Sequence, residues 1–277
     1  MDRPSAKPNQ LERKKPTERF SNRVENYVKY RPGYPAEIID FLHRNCGLDA
    51  RAIVADIGSG TGILAELFLR NGNRVLGVEP NPEMRVAGES FLARYRNFIS
   101  VVATAETTTL ADHSVDFIVA GQAFHWFDRQ RARVEFERIL RPDGWVVLVW
   151  NERLTSTPFL SDYEALLQRY SCDYEHADHR KVAQPEVLVE FFKPGGYRLE
   201  TFPNRQSFDF AALHGRLLSS SYVPVEEDAG YPELLHRLKE IFQRHAKNGS
   251  VAFEYETKLY YGRFTAEYAS NPDFALL

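Results

Sequence analysis

Three glycines at alternate positions mark the stretch of this chain whose residue types could hold a ligand. Residues 54–62 read Val-Ala-Asp-Ile-Gly-Ser-Gly-Thr-Gly, an apolar run that ends in an acid and then in the glycines. Glycine accepts a positive φ and lets a ligand approach the backbone closely. A helix N-terminus adds free N–H groups and the positive end of a dipole. The pattern predicts a strand, a tight turn and a helix that bind a nucleotide-like cofactor.

The spacing of these glycines distinguishes between nucleotide-like cofactors. Dinucleotide enzymes use G-x-G-x-x-G, whereas here Gly58, Gly60 and Gly62 follow Asp56, and the third dinucleotide glycine is replaced by Ile63. The stretch also lacks the Lys-Ser/Thr pair of a phosphate-binding loop. A structural turn without a ligand is the alternative for this stretch taken alone.

Four further segments place polar or aromatic residues around this turn. Glu79 closes the next expected strand, and a carboxylate there can accept hydrogen bonds from both hydroxyls of a ribose. Residues 104–110 (Thr-Ala-Glu-Thr-Thr-Thr-Leu) precede the fourth expected strand, and residues 121–128 (Gly-Gln-Ala-Phe-His-Trp-Phe-Asp) follow it. Residues 27–35 (Tyr-Val-Lys-Tyr-Arg-Pro-Gly-Tyr-Pro) lie in front, and their prolines predict a stiff irregular segment.

Together these motifs resemble those of the class I S-adenosylmethionine-dependent methyltransferases. From about residue 20 the chain is similar to the trans-aconitate methyltransferase-like small-molecule enzymes, which carry a methyltransferase type 11 domain. The resemblance implies that the glycine turn holds the methionine end of the cofactor, that Glu79 binds the ribose, and that Met84 and the Ala-Glu segment approach the adenine. The cofactor-binding residues expected in this way are Tyr27, Arg31, Tyr34, Asp56, Gly58, Ser59, Gly60, Gly62, Glu79, Pro80, Met84, Ala105, Glu106 and Gln122.

Several of these residues also have a purely structural interpretation. Glu106 could cap a helix or stabilise a loop, and the tyrosines of residues 27–35 could dock that segment onto the core. In the functional interpretation the tyrosines cover the cofactor near its sulfonium, and Arg31 pairs a carboxylate of the cofactor or substrate. Arg216 could hold an acidic substrate beneath a cover formed by residues 159–170 and 214–222, or belong to a plain amphipathic cover.

Methyl transfer from a sulfonium is an in-line displacement that mainly requires alignment of donor and acceptor in a dry site. A carboxylate acceptor needs no base, whereas a phenol, a hydroxyl or an acidic carbon needs one. His125 is the candidate base, because it follows the fourth expected strand at the sheet edge where ligands bind. A histidine that packs beside Trp126 is the alternative.

Alternating apolar strands and amphipathic helices must position these residues, which favours a parallel sheet covered on both faces. This pattern predicts an α/β fold with a five-strand parallel core extended by two more strands. The resemblance implies a Rossmann-like sheet with seven strands in the order 3-2-1-4-5-7-6, the last antiparallel, and a helical cover. Predicted strands cover residues 52–57, 74–79, 98–103, 114–121, 145–150, 197–202 and 251–264. Predicted helices cover residues 35–46, 61–70, 82–95, 128–140, 158–171, 184–192, 208–221 and 232–246.

The length of 277 residues accommodates one large domain with insertions. Residues 1–19 are predicted to be a disordered tail. Residues 20–277 form the expected methyltransferase domain, with a cover built by the N-terminal segment and by insertions around residues 155–185 and 205–230.

Composition and motifs exclude several classes of function. The net charge of −3 gives no nucleic-acid footprint, and no Asp/Asn-Pro-Pro-Tyr/Phe follows strand four, as nucleic-acid amino-methylating enzymes would carry. No apolar run is long enough to span a bilayer, and the tail has no secretory signal. Cys46 and Cys172 show neither disulfide nor ligand spacing, which favours a reducing cytoplasm. His176 and His179 suggest a metal site, but an exposed polar loop without metal is preferred.

The sequence thus predicts a cytoplasmic, S-adenosylmethionine-dependent methyltransferase, a monomer or homodimer, that acts on a small molecule without nucleic-acid or membrane partners. Carboxyl O-methylation fits the resemblance best, and C- or N-methylation is the alternative. Two rival hypotheses are a protein that binds the cofactor without turnover and a nicotinamide-dependent oxidoreductase.

Overall fold

A computed structural model describes residues 24–171, 184–220 and 223–265, without the side chains of Val24, Glu25 and Tyr27. The expected tail at residues 1–19 lies outside these ranges. The loop with His176 and His179 lies outside them as well.

A seven-stranded sheet in the order β3-β2-β1-β4-β5-β7-β6 forms the centre of the protein, which confirms the predicted topology. Neighbours among the first five strands are parallel, whereas β7 runs antiparallel to both β5 and β6. The strands are β1 (Ile53–Ile57), β2 (Arg74–Val78), β3 (Phe98–Val101), β4 (Val115–Gly121), β5 (Leu140–Arg153), β6 (Tyr197–Phe208) and β7 (Val251–Gly262).

Helices flank this sheet and follow most of its strands. They are α1 (Val24–Tyr30), α2 (Glu37–Cys46), α3 (Ile63–Arg70), α4 (Pro82–Leu92), α5 (Arg129–Ile139), α6 (Pro158–Tyr170), α7 (Pro185–Phe192), α8 (Phe210–Leu218) and α9 (Tyr231–His245). A short 3-10 helix, Phe124–Trp126, follows β4. None of the described helices combines the length and apolar character that a bilayer span requires.

The three largest departures from the expected boundaries each have a local reason. Residues 27–30 belong to α1, because Pro32 restrains the backbone only from Arg31 onward. Residues 141–144 bulge out of β5, since Val115 pairs with Leu140 but Phe117 pairs with Trp145. β6 continues to Phe208, because as an edge strand it tolerates Pro203.

Alternating side chains of the inner strands build a core on each face of the sheet. In β4, Phe117 and Val119 belong to one core and Ile118 and Ala120 to the other. A third apolar cluster joins α6, α8 and α9 to the far ends of β6 and β7, with Tyr163 and Phe253 fully buried in it. This third cluster fixes the helices that extend the molecule beyond the carboxyl ends of the parallel strands.

Candidate cofactor site

The glycine turn leaves β1 with a backbone that alternates in and out of the left-handed region. Gly58, Gly60 and Gly62 have φ values of 68°, 55° and 82°. A Cβ at Gly58 would lie 2.7 Å from the Cβ of Ala123, and one at Gly62 would lie 2.5 Å from Leu92 Cδ1. These two glycines are therefore required by packing as well as by conformation.

Gly60 differs from the other two glycines because its surroundings are more open. The nearest atom to a Cβ there would be the flexible Cε of Met84, at 3.3 Å. Met84 is buried, and its N–H is capped by the side chain of Asn81 at the start of α4. Gly60 and Met84 thus lie side by side at the turn, and their contact with a cofactor stays a prediction.

Glu79 follows β2 and its carboxylate is fixed by two backbone donors. Its Oε2 accepts the N–H of Gly60 at 2.9 Å, and its Oε1 accepts the N–H of Asn81 at 2.8 Å. Burial raises the pKa of Glu79, and these two hydrogen bonds oppose that effect. Because a carboxylate has about four acceptor positions, each oxygen keeps one for a ligand hydroxyl. Pro80 is the half-buried neighbour that begins the turn into α4.

Asp56 is the most deeply buried acid of the site. Its side chain is 1% exposed, and neither carboxylate oxygen meets a hydrogen-bond donor at good geometry among the described residues. Burial raises its pKa to about 8, a weaker interaction with the N–H of Ala65 lowers it, and the charge of Glu79 raises it further. The hydroxyl of Thr61 is also buried, and it has no hydrogen-bond partner among the residues that the structure describes. A buried acid without a donor is suited to a cationic or hydrogen-bonding ligand.

Residues 104–110 form a loop that is held by α5. Glu135 Oε1 accepts the backbone N–H of Thr108 at 2.7 Å and its hydroxyl at 2.5 Å. Arg138 donates to both carboxylate oxygens of Glu135, at 2.9 and 2.7 Å. Within this loop Ala105 is buried, and Glu106 accepts the N–H of Asp128 at 2.9 Å. Glu106 therefore makes the loop contact that the structural interpretation expected.

The loop after β4 brings Gln122 and His125 to the same sheet edge. Gln122 has a φ of 55°, and its side-chain amide donates to the carbonyl of Asn151 at 3.1 Å. His125 lies in the 3-10 helix, with its ring centroid 4.5 Å from that of Trp126. His125 thus packs beside Trp126 with tilted rings, as the structural alternative expected, and its role as a base stays a prediction.

The segment between α1 and α2 lies across the end of β4. A Cβ at Gly121 would lie 2.5 Å from the hydroxyl oxygen of Tyr34 and 3.0 Å from Leu64 Cδ2. Arg31 Nη2 donates to the carbonyl of Ser219 at 3.0 Å. Tyr34 thus reaches the crevice between β1 and β4, whereas Arg31 links the segment to the end of α8. The side chain of Tyr27 lies outside what the structure describes.

Ser59 completes the set of predicted residues at the turn. Its N–H and that of Gly58 donate to the carbonyl of Val78, at 3.1 and 2.8 Å, and so join the turn to β2. The strand order reverses between β1 and β4, and such a switch point is where open α/β sheets bind ligands. Most predicted residues therefore meet at one crevice. Among the described residues there is no group of three or more side chains that could hold a metal ion.

Two contacts of the site were missed by the sequence analysis. A Cβ at Gly88 of α4 would lie 3.0 Å from the carbonyl oxygen of Gly60, so a small residue lets the helix pack on the turn. Its signal was a glycine inside a helical pattern, which suggests close backbone approach. The support of residues 104–110 by Glu135 had no local signal, because the partners lie far apart in the chain.

Comparison of the sequence with known proteins finds methyltransferases. Residues 55–148 match a family described as "Methyltransferase domain". An uncharacterised methyltransferase-like protein of Schizosaccharomyces pombe is 27% identical over 242 residues, 86% of this chain and 92% of the relative. An uncharacterised methyltransferase of Mycobacterium bovis is 41% identical over 135 residues, 48% of this chain and 52% of the relative.

A solved structure agrees at the level of the fold. A candidate type II methyltransferase from Anaeromyxobacter dehalogenans superposes with a TM-score of 0.64 at 20% identity, over 85% of this chain and 98% of that one. The sheet order and the comparisons define a class I methyltransferase fold. Within this fold, residues 55–148 match the methyltransferase domain family, in the direction that the resemblance implied. The narrower likeness to trans-aconitate methyltransferase-like enzymes stays a prediction.

Proposed function

We propose that the protein transfers a methyl group from S-adenosylmethionine to a small-molecule acceptor, with a carboxylate oxygen as the preferred acceptor atom. The observation that carries the proposal is the glycine turn with Asp56 buried behind it and Glu79 beside it. The proposed enzyme works in the cytoplasm as a monomer or homodimer.

The residues of the crevice fit the chemistry of this cofactor. Asp56 is a buried acid without a good donor among the described residues, and the cofactor carries an ammonium and a sulfonium. Glu79 keeps acceptor capacity for two ribose hydroxyls. Gly60 permits close approach, and Met84 offers an apolar contact beside it. When bound, S-adenosylmethionine supplies an activated methyl group.

The other predicted residues have roles on the acceptor side of this proposal. In this proposal the role of the cover and of Tyr34 is to exclude water from the crevice, which favours a displacement that needs alignment more than acid–base help. A carboxylate acceptor reacts without a base. If the acceptor carries a proton on the reacting atom, His125 is the residue that removes it.

Of the alternatives, the nicotinamide-dependent oxidoreductase is disfavoured by a particular residue, and the others differ in the reaction rather than in the crevice. A nicotinamide enzyme would place a glycine where Ile63 begins α3. A cofactor-binding protein without turnover has the same crevice and differs only in lacking an acceptor reaction. C- or N-methylation would use the same cofactor residues, and would make His125 important for turnover.

A screen of metabolites with labelled S-adenosylmethionine tests the proposal. Product analysis by mass spectrometry would identify the acceptor and the methylated atom, with Glu79→Ala as the control that lacks the ribose acceptor. We expect a methylated small acid, and His125→Ala with full turnover on it. Tight cofactor binding without transfer to any metabolite would favour the non-catalytic alternative.

A further inference from the structure

Residues 30–33 are here called the strip. The backbone carbonyls of Tyr30, Arg31 and Gly33 in this strip face side-chain amides of the sheet. The carbonyl of Gly33 accepts Nδ2 of Asn204 at 2.8 Å and Nδ2 of Asn151 at 3.1 Å. Nε2 of Gln206 lies 3.5 Å from the carbonyl of Tyr30 and 3.4 Å from that of Arg31. The end of α1 and the irregular residues after it are therefore held at three carbonyls by amides from β5 and β6.

The three amides are themselves oriented by further partners. Asn151 Oδ1 accepts the hydroxyl of Thr257 at 2.5 Å and Nδ2 of Asn204 at 3.0 Å. Gln206 Oε1 accepts the hydroxyl of Tyr255 at 3.1 Å. Asn151 is 5% exposed and Thr257 is fully buried, so the inner end of this network is shielded from water, whereas the bond from Asn204 to Gly33 is exposed. Shielded polar networks hold one geometry strongly when their members are satisfied.

The same network reaches residues of the candidate cofactor site. The carbonyl of Asn151 accepts the side-chain amide of Gln122, which follows β4 with a positive φ. Immediately after the strip, Tyr34 lies against Gly121 and Leu64 at the β1–β4 crevice. Asn151 therefore connects the strip and the loop after β4, the two segments that border this crevice on its β4 side.

We propose that Asn151, Asn204 and Gln206 form an amide clamp that positions the strip, and with it Tyr34, as a fixed wall over the cofactor crevice. The clamp itself follows from contacts that do not depend on any ligand. Its effect on the cofactor rests on the proposed function, since it requires S-adenosylmethionine or its product to occupy the crevice.

A variant pair on β6 separates the clamp from general effects on the strand. Asn204→Asp keeps the side-chain shape but replaces the amide donor with an acceptor that cannot donate to Gly33. Ser207 lies on the opposite, exposed face of the same strand, and Ser207→Ala is the matched control. Gln206→Ala removes the second amide, at a position that is only partly buried.

Hydrogen exchange of the unliganded protein tests the clamp directly. We expect the amides of Tyr30 and Arg31, where α1 ends and the strip begins, to exchange about threefold to tenfold faster in Asn204→Asp and Gln206→Ala, the effect of losing one hydrogen bond. Exchange in α9 and in the Ser207→Ala control should equal that of the unchanged protein. Equal exchange of Tyr30 and Arg31 in all four proteins would overturn the clamp.

The dissociation rate of S-adenosylhomocysteine tests the wall over the crevice. Stopped-flow dissociation should be about threefold to tenfold faster in both clamp variants than in Ser207→Ala. An unchanged rate in variants whose strip exchanges faster would overturn the wall while leaving the clamp. If the unchanged protein does not bind S-adenosylhomocysteine, the proposed function and the wall fail together, and the exchange experiment still decides on the clamp.

Discussion

Three positive-φ glycines serve the turn after β1, but they serve different needs. Gly58 and Gly62 are closed in by Ala123 and Leu92, whereas the space around Gly60 ends at a flexible methyl group. A substitution at Gly60 therefore changes what a ligand meets more than what the core meets. Gly47, which ends α2 at a φ of 69° with nothing near its Cβ position, has similar backbone strain far from the site.

We predict that Gly60→Ala and Gly47→Ala lower the free energy of unfolding by similar amounts, about 1–2 kcal/mol from the left-handed backbone. Only Gly60→Ala should weaken S-adenosylhomocysteine binding, by tenfold or more, because the added methyl group occupies the ligand side of the turn. Urea denaturation and calorimetry measure the two effects. Equal affinity in both variants would show that the ligand does not approach Gly60.

Asp56 should make the unliganded protein less stable as the pH rises. Its folded pKa of about 8 lies above the unfolded value of 3.8, so the folded state holds a proton that the unfolded state has lost. Between about pH 4 and 8 this group lowers the free energy of unfolding with increasing pH, by at most about 1.4 kcal/mol per unit. Asn at this position does not titrate.

We therefore predict that Asp56→Asn gains stability relative to the unchanged protein between pH 5 and pH 8, while it loses cofactor affinity. Urea denaturation at pH 5, 6.5 and 8 measures the difference. Parallel pH dependences of the two proteins would contradict the raised pKa of Asp56 and the desolvation that causes it.

At the scale of elements, hydrophobic periodicity predicted helices best where a single apolar stripe of the helix packs against a single core. α2, α6 and α9 have such stripes, and α6 and α9 were placed to within about one residue at each end. The bulge of residues 141–144 was predicted as a loop, because Pro142 and Gly144 are residue types that usually indicate a turn. The strand predicted for β6 ended before Pro203. Its partly buried polar residues Asn204 and Gln206 were therefore not assigned to the sheet.

The tie between α5 and residues 104–110 is an element contact with a pH signature. Arg138 and then Thr108 hold the pKa of Glu135 at about 2, below its ordinary 4.5, against the opposing effect of burial. Since the folded pKa is lowered, this stabilisation is present above about pH 4.5 and is lost as the pH falls toward 2.

We predict that Glu135→Gln lowers the free energy of unfolding by about 1–3 kcal/mol at pH 7, and by clearly less at pH 3. Glu137→Gln, on the same helix but exposed and paired with Arg133, should cost less than about 1 kcal/mol at both pH values. Denaturant titrations at the two pH values give the comparison. A loss for Glu135→Gln that does not depend on pH would contradict the lowered pKa.

At the scale of the whole molecule, the strand order came from the resemblance rather than from spacing or composition. Local patterns located strands and helices, but they carry no information on which strands are neighbours, and β7 lies between β5 and β6 in space although it follows both in sequence. The cofactor residues could be predicted because they lie within short motifs. The amide network could not, since Gly33 is far in sequence from Asn151 and from Asn204.

The central claim is that the crevice between β1 and β4 binds S-adenosylmethionine. Titration calorimetry of the full chain with S-adenosylhomocysteine and, separately, with NADH tests it most directly, with Gly60→Val as the control that blocks the turn. We predict one saturable site for S-adenosylhomocysteine, lost in Gly60→Val, and no heat of binding for NADH. Binding of NADH without binding of S-adenosylhomocysteine would contradict the claim.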